Sequence, residues 1–331
     1  MPNPNLIIPK SELEQSGSSA SLSSGVIALL NQQKQSWDLC RRNYDDLNNI
    51  QIKSFDFSKI EIKIQFNPGR IKSTSAKVDK DSIKNRKCFL CLDNLPVEQR
   101  GIPFNKDFLI LCNPFPIFKE HFTIVNKMHV PQTIVGNFLT FLQLVKELGD
   151  TLTLFYNGPK CGASAPDHMH FQAGSKGVMP IESEYDSSKA LSGKIIYEKG
   201  NTVLFAVDDN LRKMFFLEGS EEKEIESVFY KLIGKMQELL GIDDEPMLNI
   251  IGMYENNKWK IIIFPRAKHR PDYFFLNDSG KIMVSPAAVD MSGLIIVPRH
   301  EDFDKISKEK IIKIFDQVCL GENKFYGLAT I

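Results

Sequence analysis

The chain has 331 residues, 42% hydrophobic and 25% charged, the composition of a folded protein with material for one large core or two medium ones. Its 41 basic and 41 acidic residues cancel, so the overall balance argues neither for wrapping nucleic acid nor for lying on an anionic membrane, and any phosphate binding must be local. No apolar run approaches the roughly 18 residues of a membrane span, and the start MPNPNLIIPKSELEQ lacks a secretory pattern, which predicts a cytoplasmic protein.

Six cysteines are too sparse for a disulfide framework, and two of them form a Cys-x-x-Cys pair at Cys88 and Cys91. The Ser/Gly-rich run SGSSASLSSG and the polar start before it predict a mobile tail over residues 1–25. From Val26 to about Leu47 the apolar positions Ile27, Leu29, Leu30, Trp37, Leu39 and Cys40 suit one surface-packed helix without proline. Over Phe55 to Phe66 the period changes to two, with Ile60, Ile62, Ile64 and Phe66 alternating with Glu61, Lys63 and Gln65, as in a half-buried strand.

Strands are expected at Phe108–Cys112 and His121–Val125, antiparallel because the link through Asn113-Pro114 and Pro116 is short. Phe138, Leu139, Phe141, Leu142, Val145 and Leu148 have helical spacing up to Gly149, and Leu152–Tyr156 reads as a strand entering a Gly/Pro turn. A helix at Glu222–Leu240, a hairpin of Leu248–Glu255 and Lys258–Pro265 turning at Asn256-Asn257, and a strand at Gly293–Val297 follow. The pattern predicts an α+β architecture of antiparallel sheets with packed helices, in one core or two similar halves. The expected halves are 26–195, with the catalytic residues and the candidate zinc site, and 196–331, completing the substrate site.

The strongest motif is Gly162-Ala163-Ser164-Ala165-Pro166-Asp167-His168-Met169-His170-Phe171-Gln172. On an extended segment His168 and His170 are expected to face opposite ways and do different jobs. Cys88-Phe89-Leu90-Cys91 has the spacing with which two thiolates reach one tetrahedral Zn²⁺ if histidines complete the set; small buried cysteines without metal are the alternative. In Gln65-Phe66-Asn67-Pro68-Gly69-Arg70, with Ser73 and Lys77 beyond, an arginine can pair with phosphate and a glycine permits close backbone approach, although a plain turn has the same composition. Asn157, Cys161 and Ser164 lie on the loop before the histidines, where amides and a hydroxyl could hold phosphate oxygens, although turn formation alone would also explain Asn157-Gly158. Phe264-Pro265-Arg266-Ala267-Lys268-His269-Arg270-Pro271 concentrates four potentially cationic side chains just after a strand, where a phosphate could be held, although such a basic turn is also commonly a solvated surface.

The His-x-His-x-Gln segment behind a small-residue turn resembles the active-site strand of galactose-1-phosphate uridylyltransferases and their relatives, the nucleoside diphosphate hexose phosphorylases and dinucleoside tetraphosphate phosphorylases of the histidine-triad superfamily. The resemblance covers residues 60–175 with specific motifs and 248–305 in character. It implies a histidine-triad-like fold in which His170 attacks an α-phosphorus and Gln172 hydrogen-bonds a non-bridging oxygen. Glutamine at the third position marks the transferase and phosphorylase branch, since an amide donates a hydrogen bond but cannot act as a general acid–base.

The same resemblance implies a structural zinc held by Cys88, Cys91, His129 and His168, with His121 as a spare ligand, and substrate contacts from Asn67, Arg70, Asn157, Ser164, Arg266 and Lys268. The implied reaction passes a nucleotidyl group from a nucleotide sugar, GDP-hexose favoured, or a dinucleoside polyphosphate, through a covalent nucleotidyl-histidine to phosphate or a sugar phosphate. Hydrolysis of nucleotide conjugates and non-catalytic nucleotide binding are the alternatives. Nucleic acid and membrane are not expected partners, and a homodimer is left open. Ala165-Pro166-Asp167 makes the loop longer than in the uridylyltransferases, and Asp167 before His168 departs from the family pattern. Neither a P-loop nor a G-x-G-x-x-G fingerprint is present, which argues against kinases and dehydrogenases.

Overall fold

Ile60, Ile62 and Ile64 are buried while Glu61 and Lys63 between them are half exposed, the alternation of a strand with one face on a core. In the computed structural model, which describes residues 3–15, 21–76 and 78–329, this strand is β2 (Ile60–Phe66). It pairs antiparallel with β1 (Gln51–Phe57), so the single strand expected from Phe55 is a hairpin, turning at Ser58 with φ +60°. Gln65 breaks the alternation: it is buried, and its side chain donates to Ile117 O and accepts from Asn67. Lys77 and the side chain of Ser73 lie outside the described residues.

The strands that follow are β3 (Gly101–Phe104), β4 (Phe108–Cys112), β5 (His121–Asn126), β6 (Leu152–Asn157) and β7 (His170–Ser175). Next come β8 (Gly193–Lys199), β9 (Thr202–Asp208), β10 (Lys213–Gly219), β11 (Leu248–Glu255) and β12 (Lys258–Pro265). These ten form one antiparallel sheet in the order β3-β4-β5-β7-β6-β11-β12-β10-β9-β8. Read inward from its two edges, the sheet repeats itself: β3-β4-β5-β7-β6 is matched by β8-β9-β10-β12-β11, and the repeats join where Ile250 pairs with Tyr156. A last strand, β13 (Leu294–Val297), lies parallel to β2 and completes a small sheet with β1.

The helices Phe138–Leu148 and Glu222–Leu240 occupy equivalent places in the two repeats, and both pack on one face of the large sheet. Phe138 and Phe229 stack between them with ring centroids 3.7 Å apart. The other face is covered by the small sheet and the helix Pro180–Ser192, which supplies Ile181 and Tyr185 to a second core. The long helix expected from Val26 is two, Leu22–Ser36 and Asp38–Asp45, because Trp37 takes an extended conformation and buries its ring.

The described part of the expected tail is packed rather than free. Leu6 and Ile8 are buried, Ile7 bridges to Gly101, and Lys10–Gln15 is helical with Leu13 inside; residues 16–20 lie outside the described residues. The expected boundary at residues 195/196 falls inside β8, whose first residue is Gly193. No helix among the described residues is long and apolar enough to cross a membrane.

Candidate active site

β7 starts at His170 in the interior of the large sheet, between β5 and β6, so its first side chains are surrounded by strands from both sides. Residues two apart on a strand share a face. His170 and Gln172 accordingly both line a cavity of about 500 Å³ between the first repeat and the 269–296 region. His168 precedes the strand, in a bend, and it is this irregular backbone rather than strand alternation that turns its ring away, toward Cys88 and Cys91. The expected difference of direction is present, for a different reason from the one the sequence suggested.

His170 is buried, and its Nδ1–H donates to the carbonyl oxygen of His168 at 2.8 Å. That contact fixes the proton on Nδ1 and leaves the Nε2 lone pair for chemistry. Burial lowers the His170 pKa to about 4, so the ring stays neutral. Its backbone is held at both ends of the residue by Gln132, which accepts from His170 N at 2.8 Å and donates to His170 O at 3.0 Å. The same Gln132 amide donates to Asn157 O at 2.9 Å.

Gln172 is oriented by His121. The backbone N–H of Ile117 can only donate, so His121 Nδ1 accepts it at 3.1 Å, and the ring proton lies on Nε2. Nε2–H then donates to Gln172 Oε1 at 3.2 Å, which leaves the Gln172 amide NH₂ as the end available to a ligand. Burial first, and then the charge of Arg70, lower the His121 pKa to about 3. His121 thus belongs beside Gln172 rather than serving as a spare metal ligand.

Arg70 lines the cavity and donates through Nη1 to Phe115 O at 2.7 Å. Asn67 does not border it: its Nδ2 donates to Pro116 O and Gln65 Oε1, at 3.1 and 3.3 Å, and braces the turn that carries Arg70. Asn157 and Ser164 do line the cavity. Asn157 Oδ1 accepts from Asn249 Nδ2 at 3.0 Å and from Ala288 N at 2.8 Å, so its NH₂ is the end it can offer. Gly162 is required beside them, since its φ is +108° and a Cβ there would lie 2.6 Å from Ala287 Cβ. Cys161 is structural, its thiol donating to Leu248 O at 3.1 Å.

Arg266 and Lys268 lie elsewhere. Arg266 is buried and spends its guanidinium on Val318 O, Pro286 O, Asn249 Oδ1, Lys268 O and His269 O, making it a clamp that holds Asn249 and, through it, Asn157. Lys268 pairs with Asp272 on the surface. From that basic run it is His269 and Arg270 that border the cavity, with Ser285 and Asp290. Asp290 accepts from the N–H groups of Ile296 and Ala287, each at 2.9 Å, and burial raises its pKa to about 6. Gln132 and Asp290 belong to no motif, so no local signal marks them.

Cys88, Cys91, His129 and His168 converge, their four ligand atoms lying within 4.8 Å of one another. Cys88 Sγ is 3.3 Å from His168 Nδ1, and Cys91 Sγ is 3.2 Å from His129 Nδ1. Bonds of about 2.3 Å to sulfur and about 2.0 Å to nitrogen in a tetrahedron set ligand atoms roughly 3.3–3.8 Å apart, so this group could hold a metal ion. His168 Nε2 donates to Asn126 O at 2.8 Å, which leaves Nδ1 unprotonated toward the cluster. The unusual Asp167 has its place here: it pairs with Arg86 at 2.5 Å and lies 3.9 Å from His129 Nε2.

Residues 29–175 match a family described as a domain of unknown function (DUF4922), and residues 187–331 match the GDPGP1-like C-terminal domain. No curated protein matches the sequence significantly. Among solved structures, yeast Ap4A phosphorylase Apa2 is similar with a TM-score of 0.58 at 15% identity, over 87% of this chain and 97% of that one. Its complex with AMP gives 0.55 at 16% identity, covering 87% and 96%, and its complex with Ap4A gives 0.54 at 15%, covering 87% and 97%. The α+β fold of large antiparallel sheets is shared with that enzyme.

Proposed function

We propose that this chain, a uridylyltransferase- and nucleoside-diphosphate-hexose-phosphorylase-like protein of the histidine-triad superfamily, is a nucleotidyl phosphorylase acting through a nucleotidyl-His170. The observation that carries the reading is the pairing, in one cavity, of a His170 ring with its proton fixed on Nδ1 and a Gln172 amide turned donor-outward by His121.

In the first step His170 Nε2 attacks the α-phosphorus of a nucleoside diphosphate sugar. A P–N bond forms as the bond to the bridging oxygen breaks, and the sugar phosphate leaves with that electron pair. The ring becomes an imidazolium that keeps its Nδ1 proton on His168 O. In the second step an oxygen of inorganic phosphate attacks the same phosphorus, the P–N bond breaks, and neutral His170 returns with a nucleoside diphosphate released. Two in-line displacements give net retention at phosphorus. Gln172 donates to a non-bridging oxygen where charge builds up, with Arg70 as the nearby counter-charge.

GDP-hexose is the favoured donor, supported by the GDPGP1-like match over the second half. A dinucleoside polyphosphate is the second reading, supported by the fold shared with the Ap4A phosphorylase. The Cys/His cluster has the donor set of a structural zinc site, with four protein ligands; zinc bound there would crosslink the 88–91 loop to the segment before β7.

Intact mass after brief incubation with GDP-, UDP- and ADP-hexoses and dinucleoside polyphosphates, with His170→Ala as control, tests the reading. A nucleoside monophosphate adduct in the wild type alone establishes the nucleophile and names the base. Absence of any adduct, together with turnover that inorganic phosphate does not accelerate, would overturn it.

A further inference from the structure

Among the described residues lining the cavity only two side chains carry fixed positive charge, Arg70 from the first half and Arg270 from the second. Each terminal phosphate brings up to about two negative charges near neutral pH. Arg70 lies at the end where His121 and Gln172 meet, close enough for its charge to bear on His121. A distal phosphate needs a counter-charge of its own.

Arg270 is prepared for that role. Its guanidinium lies over the Phe274 ring at 4.1 Å, and its Nε donates to Ser285 Oγ at 2.9 Å. Nη2 donates to Thr74 O and Ala76 O, at 3.2 and 3.1 Å, which fixes the plane of the group. Nη1 makes no hydrogen bond among the described residues. Ser285 Oγ accepts from Arg270 Nε and lies 3.1 Å from His269 Nε2; its second lone pair can take the ring N–H, which leaves the hydroxyl hydrogen for a ligand. Burial, then the charges of Arg270 and Arg266, lower the His269 pKa to about 3 and keep the ring neutral. The cluster therefore presents donors and one positive charge, with no carboxylate bonded to any of the three among the described residues.

We propose that Arg270, Ser285 and His269 form the seat for the exchanging phosphate: the distal phosphate of the donor in the first step and inorganic phosphate in the second. The inference rests on the phosphorylase reading. Its chemical reason is that both displacements are in line, so the oxygen that leaves and the oxygen that enters must each lie opposite His170 Nε2 across the α-phosphorus. One seat serves both, and no proton transfer from the seat is needed, because the leaving sugar phosphate departs as an anion and His170 keeps its Nδ1 proton.

The test isolates the second step. Nucleotidyl-enzyme is formed, freed of donor, and discharged by rapid quench over a range of inorganic phosphate concentrations. Arg270→Gln is expected to raise the half-saturating phosphate concentration roughly ten- to a hundredfold, Ser285→Ala to raise it less, and Arg270→Lys to restore part of the loss. Unchanged half-saturation in folded Arg270→Gln, or in Ser285→Ala if the arginine variant does not fold, overturns the seat. If the wild type forms no adduct and inorganic phosphate does not accelerate turnover, the phosphorylase reading fails separately. The seat is then read from the rise in melting temperature with inorganic phosphate or pyrophosphate: abolition of that rise in Arg270→Gln supports it, and an equal rise in both proteins overturns it.

Discussion

The carbonyl oxygen of His168 lies 2.8 Å from Nδ1 of His170, while the side chain of His168 points into the Cys/His cluster. One residue thus joins the group that could hold a metal to the ring proposed to do the chemistry: whatever fixes His168 also fixes the tautomer and aim of His170. Elemental analysis is expected to find near one metal per chain, lost in Cys88→Ser together with roughly 10- to 100-fold of the rate of adduct formation. Metal-free protein that is folded and fully active would remove the assignment.

Gln172→Ala is expected to slow adduct formation by about 10²–10³-fold, the usual cost of one donor at a developing oxyanion. His121→Phe should act in the same direction and more weakly, since it removes the bond that turns the amide. The double variant should be no slower than Gln172→Ala, because His121 works through Gln172. Additive losses in single-turnover kinetics would break that link.

Gln132→Leu leaves His170 N, His170 O and Asn157 O without their partner in a buried place. Stability in urea should fall by about 3 kcal/mol. A loss under about 0.5 kcal/mol would mean that these groups find other partners.

Burial holds His121 at about 3 and His170 at about 4, against an ordinary imidazole value near 6.5. A ring with a lowered pKa gains its proton only as the pH falls through that lowered value, so both rings remain neutral through the neutral range. Adduct formation should be flat from about pH 8 to about pH 5.5 and fall below that. An acid limb centred near 6.5 would show that the rings are hydrated during the reaction.

Arg266 and Lys268 are adjacent basic positions with opposite expected costs. Arg266→Met removes a buried clamp with five acceptors and should destabilise the protein by about 3 kcal/mol or more. Lys268→Met removes an exposed ion pair and should change stability by less than about 0.5 kcal/mol. Similar melting temperatures for the two variants would contradict the placement of Arg266.

What the sequence determined by itself is what local spacing controls. The two-residue alternation at Ile60, Ile62 and Ile64 follows from strand geometry, the helix at Phe138–Leu148 from its apolar face, and the reach of Cys88 and Cys91 from their separation. His170 and Gln172 share a cavity because residues two apart on a strand share a face. Tertiary structure decided everything that depends on a partner far along the chain. Arg266 is spent because Val318 and Asn249 receive it; Gln132 matters because β7 passes it, 38 residues on; His121 is turned from metal to glutamine by β5 and β7 lying side by side. Composition shows that a basic run exists, but only packing decides which of its side chains face a ligand, because a donor in a loop goes to whichever acceptors the fold brings within about 3 Å.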